Sequence, residues 1–156
     1  APLLGPATLK ERRSAQTEAE LERRGGAQAR VSPFADGFDG AALLQRAGFA
    51  LPVSDVDRLT VRYPDLLALI RDLRAMGETN VLVGHGRPLT RGIIARAAQL
   101  YAERFGEPDG RIPATFEIVH LAGWAPHESQ QKPLPRGSAK MRLADALGVK
   151  EQTGDE

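Results

Sequence analysis

Ile112-Pro113-Ala114-Thr115-Phe116-Glu117-Ile118-Val119-His120-Leu121 has the clearest strand pattern in this 156-residue sequence. Its alternating positions are largely apolar on both sides, with Phe116 and Ile118 facing one way and Val119 and Leu121 facing the other. A strand with two apolar faces is typical of the interior of a sheet that is covered on both sides. The stretch therefore predicts a buried, interior strand.

Two helices are predicted before this strand, each with its own start and stop signals. Pro64 and Asp65 begin the first helix, and Gly77 follows its end. Thr90 is a good N-cap residue for the second helix, which ends at Gly106. Apolar residues recur at helical spacing in both: Leu66, Leu67, Ile70, Leu73 and Met76 in the first, and Ile93, Ile94, Ala97, Tyr101 and Phe105 in the second.

A further helix is predicted near the start of the sequence. Thr8-Leu9-Lys10-Glu11 matches a capping box, in which the Thr8 hydroxyl and the Glu11 carboxylate satisfy backbone N–H groups of the first turn. The helix is expected to run to about Arg24 and to stop at Gly25-Gly26. Its apolar stripe is thin, so we predict a surface position for it.

A short helix and a strand are predicted between these regions. The helix covers roughly Asp39 to Ala47, with Gly48 placed for a left-handed C-cap. In the strand, Leu59, Val61 and Tyr63 alternate with polar residues, which is a half-buried pattern. After Trp124 the sequence becomes polar and rich in proline, with one last helix predicted from Ser138 to Leu147. We therefore expect one domain over residues 1–147 and a flexible tail over residues 148–156.

Charge and composition exclude several functional classes. The 21 basic and 20 acidic residues nearly cancel, so no broad field attracts nucleic acid or an anionic membrane. No apolar run approaches the roughly 20 residues that a membrane-spanning helix needs, and Ala1 to Gly5 is too short for the apolar core of a signal peptide. The sequence has no cysteine, which excludes disulfides and cysteine-ligated zinc. We expect a cytoplasmic protein that binds neither nucleic acid nor a membrane.

Three motifs are similar to the C-terminal half of class I S-adenosylmethionine-dependent methyltransferases. They are Arg71-Asp72-Leu73-Arg74-Ala75-Met76-Gly77-Glu78-Thr79-Asn80, the stretch from Gly110 to Val119, and the exit Gly123-Trp124-Ala125-Pro126. The branch they resemble holds the biotin-pathway malonyl-carrier-protein methyltransferases. It also holds mitochondrial complex I assembly factors and their bacterial relatives, some of them reported as arginine hydroxylases. The resemblance covers nearly the whole chain, from Leu3 to Leu147.

The resemblance implies an α/β, Rossmann-like fold whose last strand is antiparallel. It places Leu3-Leu4 on the fifth strand, Val53 to Tyr63 on the sixth and Ile112 to Leu121 on the seventh. The family binds S-adenosylmethionine through a glycine-containing loop after strand one and a carboxylate after strand two. The nearest glycine-rich loop here is Val83 to Pro88, which is better explained as an ordinary connection. We therefore expect no S-adenosylmethionine to bind this chain alone.

In the resemblance, this half forms the wall that faces the methyl acceptor. The substrate-binding candidates lie at the end of a strand and at the end of a helix: Arg62, Tyr63, Met76, Glu78 and Asn80. An arginine such as Arg62 or Arg74 suits an anionic or polar acceptor, because a guanidinium pairs with a carboxylate through two donors. The alternatives are a solvated arginine at Arg74 and a helix-capping turn at Gly77 to Asn80. No catalytic residue is identified.

The remaining candidates favour structural roles. Trp124 is expected to pack under the polypeptide that follows it rather than to stack on a substrate. His120 is expected to be a hydrogen-bonded core residue, and the spacing of the three histidines does not fit a metal site. Asp55 and Asp57 are best explained as solvated acids on an edge strand.

Two functions remain open at this point. The first is the acceptor-side half of a methyltransferase, a truncated domain that is inactive without the cofactor-binding half and that acts on a small-molecule or carrier-protein acceptor. The second is a non-catalytic assembly or binding module related to the complex I assembly factors. An open sheet edge near Leu3-Leu4 is a template for strand pairing, so self-association accompanies the second hypothesis.

Overall fold

The central strand of the sheet, β3 (Ile112–Trp124), confirms the interior strand predicted from its two apolar faces. The structure is a computed structural model that describes residues 1–80, 82, 86–131, 135–138, 141 and 147–148. The other elements in chain order are β1 (Pro2–Leu4), α1 (Lys10–Arg24), α2 (Gly37–Arg46), β2 (Ala50–Tyr63), α3 (Leu66–Ala75) and α4 (Arg91–Phe105).

The described strands form an antiparallel α/β arrangement in the order β1-β3-β2. Leu3 of β1 and Val56 of β2 both pair with Val119, from opposite sides of β3. Because β1 and β2 each run antiparallel to β3, they are parallel to one another and leave the sheet in the same direction. This agrees with the expected antiparallel last strand, and β2 lies at an edge of the described sheet.

Residues 1–125 form one compact unit and residues 126–156 a second. All the strands and helices defined above lie in the first unit. Most of the helix predicted from Ser138 to Leu147 lies outside the described residues, as does nearly all of the predicted tail. The expected domain limits at residues 147 and 148 therefore stay predictions.

The start of α1 differs from the predicted capping box. Leu9 is the N-cap residue, and no side chain caps the helix. The Thr8 hydroxyl donates to the carbonyl oxygen of Glu117 at 3.1 Å and accepts from its N–H at 3.1 Å. The Glu11 carboxylate accepts from the hydroxyl of Thr115 at 2.5 Å and from its N–H at 3.3 Å. The capping-box prediction is wrong because both side chains bind β3 instead.

The surface position predicted for α1 is also wrong for one face of the helix. Ala15 and Ala19 are fully buried where α1 packs on α4, since small side chains allow two helices to approach closely. Three polar residues of the same helix are buried with them: Glu11, Gln16 and Glu20. The predicted end of the helix is confirmed, because Gly25 closes it with a φ of 70°.

The main core lies between α1, α3, α4 and the start of β3. The predicted stripe of α4 is confirmed at Ile93, Ala97 and Tyr101, and Thr90 caps the helix by accepting from the N–H of Ile93 at 3.4 Å. On α3 the predicted buried face is confirmed at Leu66 and Leu73, but the rest of it differs from the prediction. Leu69 is fully buried, whereas Leu67 and Met76 are 57% and 53% exposed.

The C-cap predicted for α2 is confirmed. Gly48 has a φ of 85°, and the N–H of Phe49 donates to the carbonyl oxygen of Leu44 at 3.0 Å. In β2 only Tyr63 of the predicted buried set is buried, whereas Leu59 and Val61 are 49% and 41% exposed. Asp55 and Asp57 are exposed on this edge strand, as expected.

The lowered pKa values of two buried carboxylates predict how the stability of the fold depends on pH. Hydrogen bonds from Arg58 and from the N–H of Ala7 hold the pKa of Glu117 below its ordinary value of 4.5. Burial opposes ionisation of Glu20, but hydrogen bonds from Arg30 and Gln28 also keep its pKa below 4.5. A carboxylate with a lowered folded pKa stabilises the fold above its unfolded pKa, and the contribution is lost as the pH falls through the folded pKa.

We therefore expect the unfolding temperature to be flat near neutral pH and to fall once the pH drops below about 4.5. Differential scanning calorimetry between neutral and strongly acidic pH measures this. Glu117→Gln removes one titrating group and is expected to make the acid loss shallower. An unfolding temperature that does not change with acidification contradicts the assignment.

Candidate functional site

A cavity of about 570 Å³ lies between α1, α3 and α4. Its apolar wall comes from α3 and from α4 with the segment before it: Leu66, Leu67, Ile70, Leu73, Leu89, Ile93, Ile94 and Ala97. Its polar lining comes from α1, the segment after it, the end of α3 and the turn that follows: Arg12, Gln16, Arg30, Arg74, Glu78, Thr79 and Asn80. The size is that of a small-molecule site.

The cavity lies where the parallel strands β1 and β2 leave the sheet. The chain passes from β1 into α1 and from β2 into α3, and both helices contribute to the lining. These two strands flank the antiparallel β3, and the cavity lies among the helices that follow them in the chain.

The turn after α3 directs polar residues into the cavity. Gly77 adopts a φ of 83°, and the N–H of Glu78 donates to the carbonyl oxygen of Leu73 at 2.9 Å. This left-handed closure reverses the chain direction at the end of the helix. Glu78 and Asn80, two of the predicted substrate-binding residues, consequently line the cavity with Arg74.

The other predicted substrate-binding residues lie outside this lining. The guanidinium of Arg62 pairs with Glu107 and, at 2.6 Å, with Asp109 in the turn before β3. Met76 is half exposed at the end of α3. Arg62 is thus occupied by two carboxylates of its own chain.

Tyr63 has a positioning role in this structure. Its hydroxyl donates to the carboxylate of Asp72 at 2.6 Å, which ties the end of β2 to α3. Burial, together with the hydrogen bond and charge of Asp72, raises the pKa of Tyr63 to about 12. The phenol therefore stays protonated at neutral pH and holds the helix that forms one wall of the cavity.

Arginines of α1 and of the segment after it attach the start of α4 to the site. Arg30 donates to Glu20 at 2.5 Å and to the carbonyl oxygen of Arg87 at 2.6 Å. Arg24 donates to the carbonyl oxygen of Pro88 at 2.5 Å. These bonds fix the segment that leads into α4, and they place the Arg30 side chain in the cavity lining.

The sequence-based prediction missed the contribution of α1 to the site. Arg12 and Gln16 line the cavity, although the helix was expected to be superficial. The available signal was their spacing: residues four apart lie on one helical face, as Ala15 and Ala19 also do. Their polar side chains made that face look solvent-exposed.

Two expectations for single residues outside the cavity are wrong. His120 is exposed rather than buried in the core, since it lies near the far end of the sheet beside Pro2 and Asp55. Trp124 is 52% exposed rather than packed away. His85 and most of the loop from Val83 to Pro88 lie outside the described residues.

Neither a metal cluster nor a membrane span is found in the described part of the chain. Across those residues, no group of three or more histidine, aspartate and glutamate side chains is arranged to hold a metal ion. Of the helices that the structure describes, none combines the length and the apolar character needed to cross a bilayer.

Comparison with known proteins gives two groups of relatives. The chain is 40% identical over 154 residues to the mitochondrial arginine-hydroxylase NDUFAF5 of Danio rerio, covering 99% of this chain and 48% of that protein. It is 39% identical over 143 residues to the NDUFAF5 of Homo sapiens, covering 92% of this chain and 41% of that protein. It is also 39% identical over 137 residues to the malonyl-[acyl-carrier protein] O-methyltransferase of Laribacter hongkongensis, covering 86% of this chain and 43% of that protein.

The chain spans about half the length of the curated relatives that it matches. No protein-family model matches it, and no solved structure matches it significantly. The methyltransferase relatives imply the use of S-adenosylmethionine in the family. The resemblance deduced from the motifs is confirmed: over nearly its whole length, the chain is homologous to the branch that holds the NDUFAF5 proteins and the malonyl-[acyl-carrier protein] O-methyltransferases.

Proposed function

We propose that these residues form the acceptor-side half of an S-adenosylmethionine-dependent methyltransferase. In this proposal β1, β2 and β3 are the fifth, sixth and seventh strands of a Rossmann-like sheet. The observation that carries the proposal is the cavity at the edge where β1 and β2 end, in a chain homologous to O-methyltransferases. The apolar wall from α3 and α4 holds the body of the acceptor, and the polar lining orients its reactive end.

Methyl transfer depends mainly on positioning, because the acceptor atom must lie in line with the methyl group that it attacks. The hydrogen bonds described above help to hold the walls of the cavity in position. The Tyr63–Asp72 hydrogen bond holds α3, and the bonds of Arg24 and Arg30 hold the segment before α4. The acceptor wall is thereby held by hydrogen bonds on both of its helical sides.

We further propose that this chain alone does not bind S-adenosylmethionine, because the family's donor-binding groups follow strands one and two, whereas β1 is assigned here to the fifth strand. Gly5 follows β1, but a methyl group on its Cα would meet the Glu117 side chain at 2.6 Å, so this glycine serves close packing on β3. Its N–H donates to the carbonyl oxygen of Glu117 at 2.8 Å and is not open to a ligand. We therefore assign donor binding to the part of the relatives that lies beyond the matched segment, and we derive no step through the donor.

A fusion enzyme tests this proposal. The part of the Laribacter hongkongensis methyltransferase that this chain does not match is joined to this chain, and methyl transfer to malonyl-carrier protein is measured. Leu67→Trp fills the cavity from an exposed position, and Leu43→Trp on α2 is the matched control, because both leucines are 57% exposed.

We expect Leu67→Trp to lower kcat/KM by about tenfold or more, with unchanged affinity for S-adenosylmethionine, because only the acceptor is displaced. Leu43→Trp is expected to keep kcat/KM. Mass spectrometry of the acceptor distinguishes methylation, which adds a CH2 unit, from hydroxylation, which adds an oxygen atom. Equal kcat/KM for the two tryptophan variants contradicts the placement of the acceptor in the cavity.

A non-catalytic binding module is the second candidate, and a specific observation favours it. Within the described residues, β1 pairs with β3 on one side and with no strand on the other. An open edge is a template for another strand. Light scattering after size-exclusion chromatography at several concentrations tests self-association, and a monomer at every concentration counts against this candidate.

We also propose a cytoplasmic location, although the NDUFAF5 relatives carry "mitochondrial" in their names. Microscopy of a fluorescent fusion made from the complete gene tests this proposal. Mitochondrial fluorescence would contradict it.

A further inference from the structure

Two side chains of α1 form a polar pair inside the cavity. Arg12 and Gln16 are four residues apart, which puts them about 6 Å apart along one face of the helix. Both belong to the cavity lining, opposite the apolar side chains of α3 and α4. The pair therefore faces the same space as the apolar wall.

Gln16 has an unsatisfied amide. The residue is only 8% exposed, and its Nε2 atom has no hydrogen-bond partner among the described residues. A buried N–H group without an acceptor is costly, so native structures rarely keep one without a reason. An acceptor atom from a ligand in the cavity would satisfy this donor.

Arg12 carries a charge without a counter-ion. In the part of the chain that the structure describes, no carboxylate lies within ion-pair distance of its guanidinium, whereas neighbouring Arg30 and Arg24 pair with Glu20. Burial lowers the pKa of Arg12, and the nearby Tyr101 opposes this effect. The guanidinium is thus partly desolvated and available to an anion.

We infer that Arg12 and Gln16 bind the carboxylate of a ligand whose apolar chain lies against Leu66, Ile70 and Ile93. A carboxylate offers two acceptor oxygens, which match one guanidinium and one amide N–H. A cation is disfavoured because the described lining holds three guanidinium groups, those of Arg12, Arg30 and Arg74, against the single carboxylate of Glu78. The inference rests on the proposed function only in taking this ligand to be the acceptor.

The experiment is a calorimetric titration of the 156-residue chain with octanoate at neutral pH, with octan-1-ol as the uncharged probe. Arg12→Met keeps an unbranched, flexible apolar stem and removes the guanidinium with its charge. Gln16→Glu places a carboxylate four residues from Arg12, so that an internal ion pair replaces the ligand without opening a cavity. Arg23→Ala is the control, because it removes the same charge from an exposed position of α1 outside the cavity. Circular dichroism checks that each variant is folded.

We expect saturable binding of octanoate, with affinity at least about tenfold above that of octan-1-ol, because a hydrogen bond to a charged group contributes that much. Arg12→Met and Gln16→Glu are each expected to lower the octanoate affinity by about tenfold or more, and Arg23→Ala to leave it within about twofold. Absence of octanoate binding, equal affinity for octan-1-ol, or equal affinity of Gln16→Glu and the parent chain would each overturn the inference.

These outcomes are independent of the proposed function. The titration needs neither S-adenosylmethionine nor methyl transfer. If octanoate does not bind while the fusion enzyme methylates its acceptor through the cavity, the Arg12–Gln16 inference fails alone. If octanoate binds and the fusion enzyme is indifferent to Leu67→Trp, the proposed function fails and the anion site stands.

Discussion

Leu69→Ala is expected to lower the free energy of unfolding by about 3 kcal/mol, because it removes a fully buried side chain from the core and leaves a cavity. Leu69 is 0% exposed on α3 and belongs to the cluster that joins this helix to α1 and α4. Urea denaturation followed by circular dichroism measures the change.

Leu67→Ala is the matched control for this substitution. It makes the same chemical change on the same helix, but Leu67 is 57% exposed, so the expected loss is below about 0.5 kcal/mol. A larger loss for Leu67→Ala than for Leu69→Ala would mean that α3 packs with Leu67 inward, as predicted from the sequence, and equal losses would contradict the buried position of Leu69. The pair therefore tests the orientation of the helix that forms one wall of the cavity.

Glu20→Ala is expected to be similarly damaging, with a loss of about 3 kcal/mol, because it leaves buried donors without their acceptor. The Glu20 carboxylate is 1% exposed, accepts from Arg30 at 2.5 Å, and accepts from the N–H of Gln28 at 3.2 Å. Removing it also frees Arg30, which holds the segment before α4. Thermal unfolding and urea denaturation measure the loss.

The control for Glu20→Ala lies two residues further along the same helix. Glu22 is paired with Arg96 at 2.6 Å on the surface, so water replaces that pair readily. Glu22→Ala is expected to shift the unfolding midpoint far less than Glu20→Ala. A larger shift for Glu22→Ala would show that burial does not determine which of the two ion pairs matters.

The elements that the sequence predicted well are those whose signals are local. The interior strand β3 has two apolar faces. The helix α4 is flanked by Thr90 and Gly106, the two cap residues predicted from the sequence. Gly48 and Gly77 both adopt the left-handed conformation that ends a helix. In each case a few neighbouring residues contain the physical cause.

The predictions that were wrong depend on partners distant in the sequence. Glu11 was assigned to a capping box, but its partner Thr115 lies 104 residues away. On α3 the run Leu66-Leu67-Ala68-Leu69-Ile70 is apolar on every side, so its pattern does not select a face. Packing against α1 and α4 determines which face of α3 is buried, and the local sequence does not predict this.

The residues of the candidate site show the same difference between predicted and unpredicted features. Glu78 and Asn80 were named because the family resemblance places the turn after α3 over the site. Both line the cavity, and their role in substrate binding stays a prediction. Arg12 and Gln16 were not predicted, because they line the cavity only when α1 docks on β3 and α4. From sequence alone, a polar helix face is predicted to be solvent-exposed unless the residues that pack on it, distant in the sequence, are known.

The central claim is that this chain supplies an acceptor wall without a donor site. A calorimetric titration of S-adenosylmethionine into the 156-residue chain tests it most directly. We predict no saturable heat of binding, since the proposal assigns donor binding to the part of the relatives that this chain does not match. Saturable binding in the micromolar range, by the chain alone, would contradict it.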